Sequence, residues 1–234
     1  MSCCLQRAAH FCALGAHYFV IGDVYQSHGA YKRALETLQH AYNEDLNADD
    51  DKPMHAARCG TCLPMVAVPF DCDRHGDEEK FEKVIDDEDK SCYFVYTKPF
   101  CFDVETVDSS CTPVYIAIAM FGVTLLLMRK ARTEPHNLSL YKAFKLYNMA
   151  LTILKCAPRH LETTNLLIAL LNNKAYVCYC IHHFEDAHAT LEELSGVLPE
   201  VCINEDSMFE ENELTGMILN SFLPFELNRL APAA

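Results

Sequence analysis

The sequence predicts a mainly α-helical fold, a stack of helical hairpins with a small β-containing insertion. Apolar residues recur at helical spacing near both ends of the chain and in its middle. The stretch 114–128 carries no charge over 15 residues, as expected of a buried core helix. Two short β-branched and aromatic runs lie together within 49–113. With 234 residues, 50% of them hydrophobic, the chain can fill such a core.

Residues 1–48 are predicted to form the first hairpin. In this pattern Gly22 and Ala34 let two antiparallel helices approach closely, and Gly29 supplies the left-handed conformation at the turn. Aromatic side chains fill the gap between the helices. The pattern consists of small, aromatic and aliphatic residues at helical spacing: Tyr18, Ile21, Gly22, Tyr25, Gly29, Tyr31, Ala34, Leu35, Leu38 and Ala41.

A second copy of this pattern predicts a third hairpin at 159–201. Aligning Ala187 on Ala34 keeps the register without a gap and puts His182 where the turn glycine stands in the first copy. Pro199 is expected to close the second helix. The copy comprises Leu171, Ala175, Tyr179, Phe184, Ala187, Leu191 and Leu194.

Three further regions complete the predicted organisation. Residues 114–158 form a second hairpin with a long loop, because the helix signature beginning at Leu140 follows the apolar stretch. Residues 49–113 form an acidic linker and the β-containing insertion, and 202–234 form a capping helix and tail.

The repeated pattern resembles the tetratricopeptide repeat (TPR), over 15–48, 114–158 and 168–201. The resemblance implies an α-solenoid fragment that acts as a non-catalytic protein-protein interaction scaffold and binds a peptide or partner protein on its concave face. The chain also resembles a group of repeat proteins from diatoms, a likeness that brings no known activity. The TPR resemblance assigns the concave face to residues of the first helices: Phe19, Asp23, Gln26, Asn172, Tyr176 and Tyr179.

The same resemblance predicts which ligands this face accepts. The TPR clamp for acidic peptide tails needs lysine and asparagine, and the first hairpin has Phe19 and Asp23 at those positions. We therefore expect no such clamp, and a groove of acidic and aromatic character that suits basic or apolar peptides. Some of these side chains are alternatively expected to pack against the insertion or the cap.

Charge and apolar patterning limit the partners and the location. Lysine and arginine number 19 against 33 aspartates and glutamates, a net charge of −14 that repels phosphate backbones, so no nucleic acid partner is expected.

Stretch 114–128 is short for a membrane span, so no membrane span is expected. The N-terminal residues do not form a clear signal peptide. We expect a cytoplasmic protein, with a nuclear location left open.

The 13 cysteines suggest one alternative function. Cys59, Cys62, Cys72 and His75 have spacing compatible with tetrahedral zinc, or with a thiol-redox pair at the first two positions. With so many cysteines one such pair arises readily by chance, so the main expectation is reduced thiols and no cofactor. No serine-nucleophile or phosphate-binding motif is present, which predicts that the chain is not an enzyme.

Overall fold

The computed structural model describes residues 2–48, 65–67, 93–102, 111–134, 137–155, 157, 159–202 and 207–230. This part of the chain contains seven helices and two short strands. The helices are α1 (Ser2–Val20), α2 (Val24–Ala48), α3 (Thr112–Ala131), α4 (Leu138–Leu154), α5 (Leu161–Cys180), α6 (Phe184–Cys202) and α7 (Glu211–Leu230), and the strands are β1 (Met65–Ala67) and β2 (Phe100–Phe102).

The helices pack as successive hairpins, which confirms the predicted mainly helical fold. Helix α1 pairs with α2, α3 with α4, and α5 with α6. The second helix of each hairpin also packs on the next element, and the first helices α1, α3 and α5 contact one another in turn. The helices are 17 to 25 residues long, so each hairpin exceeds the repeat of about 34 residues typical of TPR proteins.

The first hairpin turns at Gly22, not at Gly29 as predicted. Gly22 has φ of 85°, and the amide of Asp23 donates a hydrogen bond to the Tyr18 carbonyl at 2.9 Å. This arrangement ends a helix by satisfying its last carbonyls, and it favours glycine at the left-handed position. Gly29 instead lies inside α2.

The third hairpin has the same turn, centred on His182 as predicted. His182 has φ of 60°, and the amide of His183 donates to the Cys178 carbonyl at 2.8 Å. His182 is therefore the structural counterpart of Gly22.

The predicted alignment of Ala187 on Ala34 is consequently wrong by seven residues. Seven residues make about two helical turns, so apolar side chains fall on the same face in either register. Matching the two turns instead pairs buried positions along the second helices: Tyr31 with Leu191, Ala34 with Leu194, Leu38 with Leu198 and Ala41 with Val201.

Two smaller predictions also differ from the structure. Pro199 does not close α6, which continues to Cys202. Tyr25 is 85% exposed, because the true turn places it on the solvent side of the first turn of α2.

The apolar stretch 114–128 lies within α3, which is a buried core helix as predicted. By length and composition α3 is the one helix among the described residues that is long and apolar enough to cross a membrane. In the structure 67% of its most apolar window is buried, and it packs against α1, α2 and α4.

The predicted insertion contributes to the core. Strands β1 and β2 pair antiparallel, with Val66 opposite Cys101. Phe100 and Phe102 are buried, and the Phe102 ring stacks on Tyr115 of α3 with centroids 4.1 Å apart. Residues 93–102 of the insertion are therefore part of the helical stack.

Tyr31 of α2 fixes how closely the first two hairpins approach. Its ring is fully buried between Gly15 of α1 and Gly122 of α3. A Cβ atom would lie 2.9 Å from the ring at Gly15 and 2.2 Å from its Cζ at Gly122. These two glycines leave the space that the ring fills.

We predict that Gly122→Ala lowers the free energy of unfolding by about 1–3 kcal/mol, because the added methyl group overlaps the Tyr31 ring. Urea unfolding followed by circular dichroism measures the change. Gly196→Ala in α6 is the matched control, since a methyl group at Gly196 would meet no neighbouring atom within 4 Å. It is expected to raise stability by about 0.5–1 kcal/mol. Equal effects of the two substitutions would contradict the packing described here.

Candidate functional site

An extended segment of the chain, 93–97, lies against α5 and α7. The segment itself forms no regular secondary structure, and it leads through Lys98 and Pro99 into β2. Tyr96 is fully buried, and its ring meets Phe209 edge-on with centroids 5.2 Å apart. The segment thus contacts two of the six residues for which a peptide ligand was predicted, Asn172 and Tyr176.

Three asparagine side chains hold the backbone of this segment. The Phe94 amide donates to Asn220 Oδ1 at 3.0 Å, and the Phe94 carbonyl accepts from the side-chain amides of Asn220 (2.7 Å) and Asn172 (3.1 Å). The Tyr96 amide donates to Asn173 Oδ1 at 2.9 Å, and its carbonyl accepts from Asn173 Nδ2 at 2.7 Å. Together the three asparagine side chains supply the hydrogen-bond donors and acceptors that a neighbouring strand would otherwise provide.

The three asparagines also orient one another. Asn220 Nδ2 donates to Asn172 Oδ1 at 2.7 Å, and Asn172 Nδ2 donates to Asn173 Oδ1 at 3.2 Å. All three side chains are buried, so their bonds form away from competing water. We call Asn172, Asn173 and Asn220 the asparagine clamp.

Side-chain contacts anchor the two ends of the segment. The Tyr93 hydroxyl donates to the Asn172 carbonyl at 2.8 Å. At the other end the Lys98 ammonium pairs with Glu210, and with Glu213 at 3.0 Å. Burial by itself lowers the pKa of Lys98, but its hydrogen bonds to the two glutamates offset this effect and leave the pKa raised.

The structure separates the six predicted binding residues into three groups. Asn172 belongs to the clamp, and the Tyr176 ring lies 5.5 Å from that of Tyr93. Phe19, Tyr176 and Tyr179 line an open cleft beside the segment. The remaining two, Asp23 and Gln26, are exposed and are not among the described residues that line the cleft. The Asp23 carboxylate caps α2 by accepting from the Gln26 amide at 3.0 Å.

Sequence reasoning missed Asn173 and Asn220, which do most of the clamping. The sequence contains a signal for Asn173, since Asn172 and Asn173 follow two leucines inside an apolar helix. Buried amides of this kind need hydrogen-bond partners. The partners themselves are distant in sequence, so the pairing was not predictable.

The open cleft has a volume of about 380 Å³ and lies where the C-terminal ends of α1, α3 and α5 meet. Val95 and Thr97 of the extended segment form one wall. The other walls are mainly apolar and aromatic, and the described residues that line the cleft are Phe19, Val95, Thr97, Leu125, Met128, Arg129, Ala131, Arg132, Asn137, Leu140, Tyr176, Tyr179, Cys180, His182 and Phe184.

The cleft is aromatic as predicted, but its charge differs from the prediction. Arg129 and Arg132 line it, and no carboxylate is among its described lining residues. The Arg129 guanidinium donates to the Phe19 carbonyl at 3.3 Å and lies 5.8 Å from the centre of the Phe19 ring. Asp23, from which acidic character was expected, is not among the described lining residues, and its carboxylate caps α2.

Three of the described thiols, those of Cys12, Cys101 and Cys178, have the properties of packing residues. Burial raises the pKa of Cys12, raises that of Cys101 to about 12 and raises that of Cys178 to about 11. Such thiols stay protonated near neutral pH and are weak nucleophiles.

The proposed zinc ligands Cys59, Cys62, Cys72 and His75 lie outside the described residues. Within the described ranges, no group of three or more histidine, cysteine, aspartate or glutamate side chains could hold a metal ion.

No protein family, curated protein or solved structure matches this chain.

We predict that Asn173→Leu lowers the free energy of unfolding by about 2–4 kcal/mol, because it leaves the buried amide and carbonyl of Tyr96 without partners. Urea unfolding measures the loss.

Asn165→Leu is the matched control for this substitution. Asn165 is equally buried in α5, but its side-chain oxygen and nitrogen have no hydrogen-bond partner among the residues that the structure describes. Its replacement should leave stability unchanged or raise it. A loss as large as that of Asn173→Leu would show that the clamp is not the cause.

Proposed function

We propose that the chain is a non-catalytic, TPR-like interaction module that binds an extended peptide segment of a partner protein. The observation that carries this proposal is the extended segment 93–97, which the asparagine clamp holds by its backbone on α5 and α7. Backbone groups are common to all peptides, so a surface that holds one extended segment in this manner is suited to holding another.

The cleft supplies the space for a second segment. It lies beside 93–97 and is lined by the first helices α1, α3 and α5, the helices to which the TPR resemblance assigns ligand binding. Its volume of about 380 Å³ falls within the range of roughly 300–1,000 Å³ usual for binding pockets. Phe184 is 53% exposed and packs edge-on against Tyr179, which gives the cleft an accessible aromatic rim.

The buried thiols support a role without catalysis. Among the described residues that line the cleft, Cys180 carries a thiol. Burial raises the pKa of this thiol, so it is a weak nucleophile at neutral pH.

We predict that filling the cleft abolishes partner binding. Ala131 is the last residue of α3 and lines the cleft, so Ala131→Trp places a large side chain in the opening without interrupting the helix. The wild-type chain and the variant, each immobilised at equal density, are used to capture proteins from cell extract, which are then quantified by mass spectrometry. The variant should lose a defined set of proteins that the wild type retains.

Ala189→Trp is the matched control, since Ala189 is exposed on α6 and does not line the cleft. It should capture the same proteins as the wild type. If all three chains capture the same set, the cleft does not bind partners and the proposed function is wrong.

A further inference from the structure

We infer that the cleft accepts an acidic, extended segment of a partner protein, which adds as a strand along the edge of 93–97 that faces the cleft. The inference rests on the proposed function and specifies the chemistry of the partner.

The first step concerns hydrogen bonds along the segment. The clamp uses the backbone groups of Phe94 and Tyr96. Successive residues of an extended chain direct their backbone groups to opposite sides, so those of Val95 and Thr97 point away from the clamp. Across the described parts of the chain, the backbone groups of these two residues make no hydrogen bond, and both residues line the cleft.

This edge offers donors and acceptors in the alternation that another extended peptide requires. A strand whose outer amides and carbonyls are unpaired is a template for pairing with a second chain. Peptide recognition by strand addition uses these main-chain bonds for affinity, and neighbouring pockets for specificity. The clamp keeps the segment in extended form and so prepares the template.

The second step concerns charge. Arg129 and Arg132 are three residues apart at the end of α3 and both line the cleft. Burial lowers the pKa of Arg132, nearby Tyr176 acts in the opposite direction, and the charge of Arg129 lowers the pKa further. A carboxylate entering the cleft would relieve this repulsion and form charge-assisted hydrogen bonds with a guanidinium.

The net charge of −14 does not oppose this local preference. Charges separated by more than about 8 Å are largely screened at physiological ionic strength. Arg129 and Arg132 are the arginines among the described lining residues, so a carboxylate in the cleft would lie close to both guanidinium groups.

Fluorescence anisotropy with labelled peptides tests the inference. The first probe is a short peptide of alternating glutamate and valine, the second replaces glutamate by lysine, and the third is the glutamate peptide methylated on alternate backbone nitrogens. We expect the first to bind and the other two to bind at least tenfold more weakly, because they lack the charge or the strand-pairing amides.

Protein variants locate the binding. Arg129→Gln should weaken the glutamate probe about tenfold, the effect of one charge-assisted bond, and Arg129→Lys should restore part of the affinity. Lys142→Gln removes the same charge from an exposed position on α4 outside the cleft and should leave binding unchanged. Thermal melting checks that each variant is folded.

Several results would overturn the inference. Equal binding of the lysine probe would refute the charge preference, and equal binding of the methylated probe would refute strand addition. Binding of no probe would refute the inference as a whole. A dimer in sedimentation that the glutamate probe does not dissociate would assign the edge to a second copy of the chain. None of these results changes the outcome of the capture experiment with Ala131→Trp. That experiment therefore tests the proposed function separately from this inference.

Discussion

The pairing of asparagine amides with the backbone of Phe94 and Tyr96 is the interaction on which the rest of this structure depends. An extended segment inside a helical stack has no neighbouring strand, and burying its amides and carbonyls unpaired would cost several kcal/mol. Asn172, Asn173 and Asn220 remove that cost. The segment is therefore hydrogen-bonded to both α5 and α7. It leads through Lys98 and Pro99 into β2, whose aromatic side chains belong to the core.

The clamp also determines what remains available for binding. By engaging one edge of 93–97, it leaves the other edge facing a cleft at the ends of α1, α3 and α5. The cleft is positively charged in a strongly acidic protein. The acidic side chain expected there, Asp23, caps α2 and is not among the described lining residues, whereas Arg129 reaches the cleft from the end of α3.

Periodicity predicted the helical class, the buried α3 and the turn at His182, because each depends on residues close together in sequence. It misplaced the first turn, since a shift of seven residues keeps the apolar face of α2 intact and only the left-handed Gly22 distinguishes the two registers. Tyr31 was predicted as a packing residue, but the space for it at Gly122 depends on a contact between distant helices. The clamp was unpredictable for the same reason: Asn173 is 77 positions from Tyr96.

Amide hydrogen exchange measured by NMR along 93–97 tests the central claim most directly. A segment held by one edge predicts alternating protection. The amides of Phe94 and Tyr96, which donate to Asn220 and Asn173, should exchange slowly, and those of Val95 and Thr97 should exchange much faster. Uniformly fast exchange across the segment would show that the clamp does not hold it, and would contradict the account.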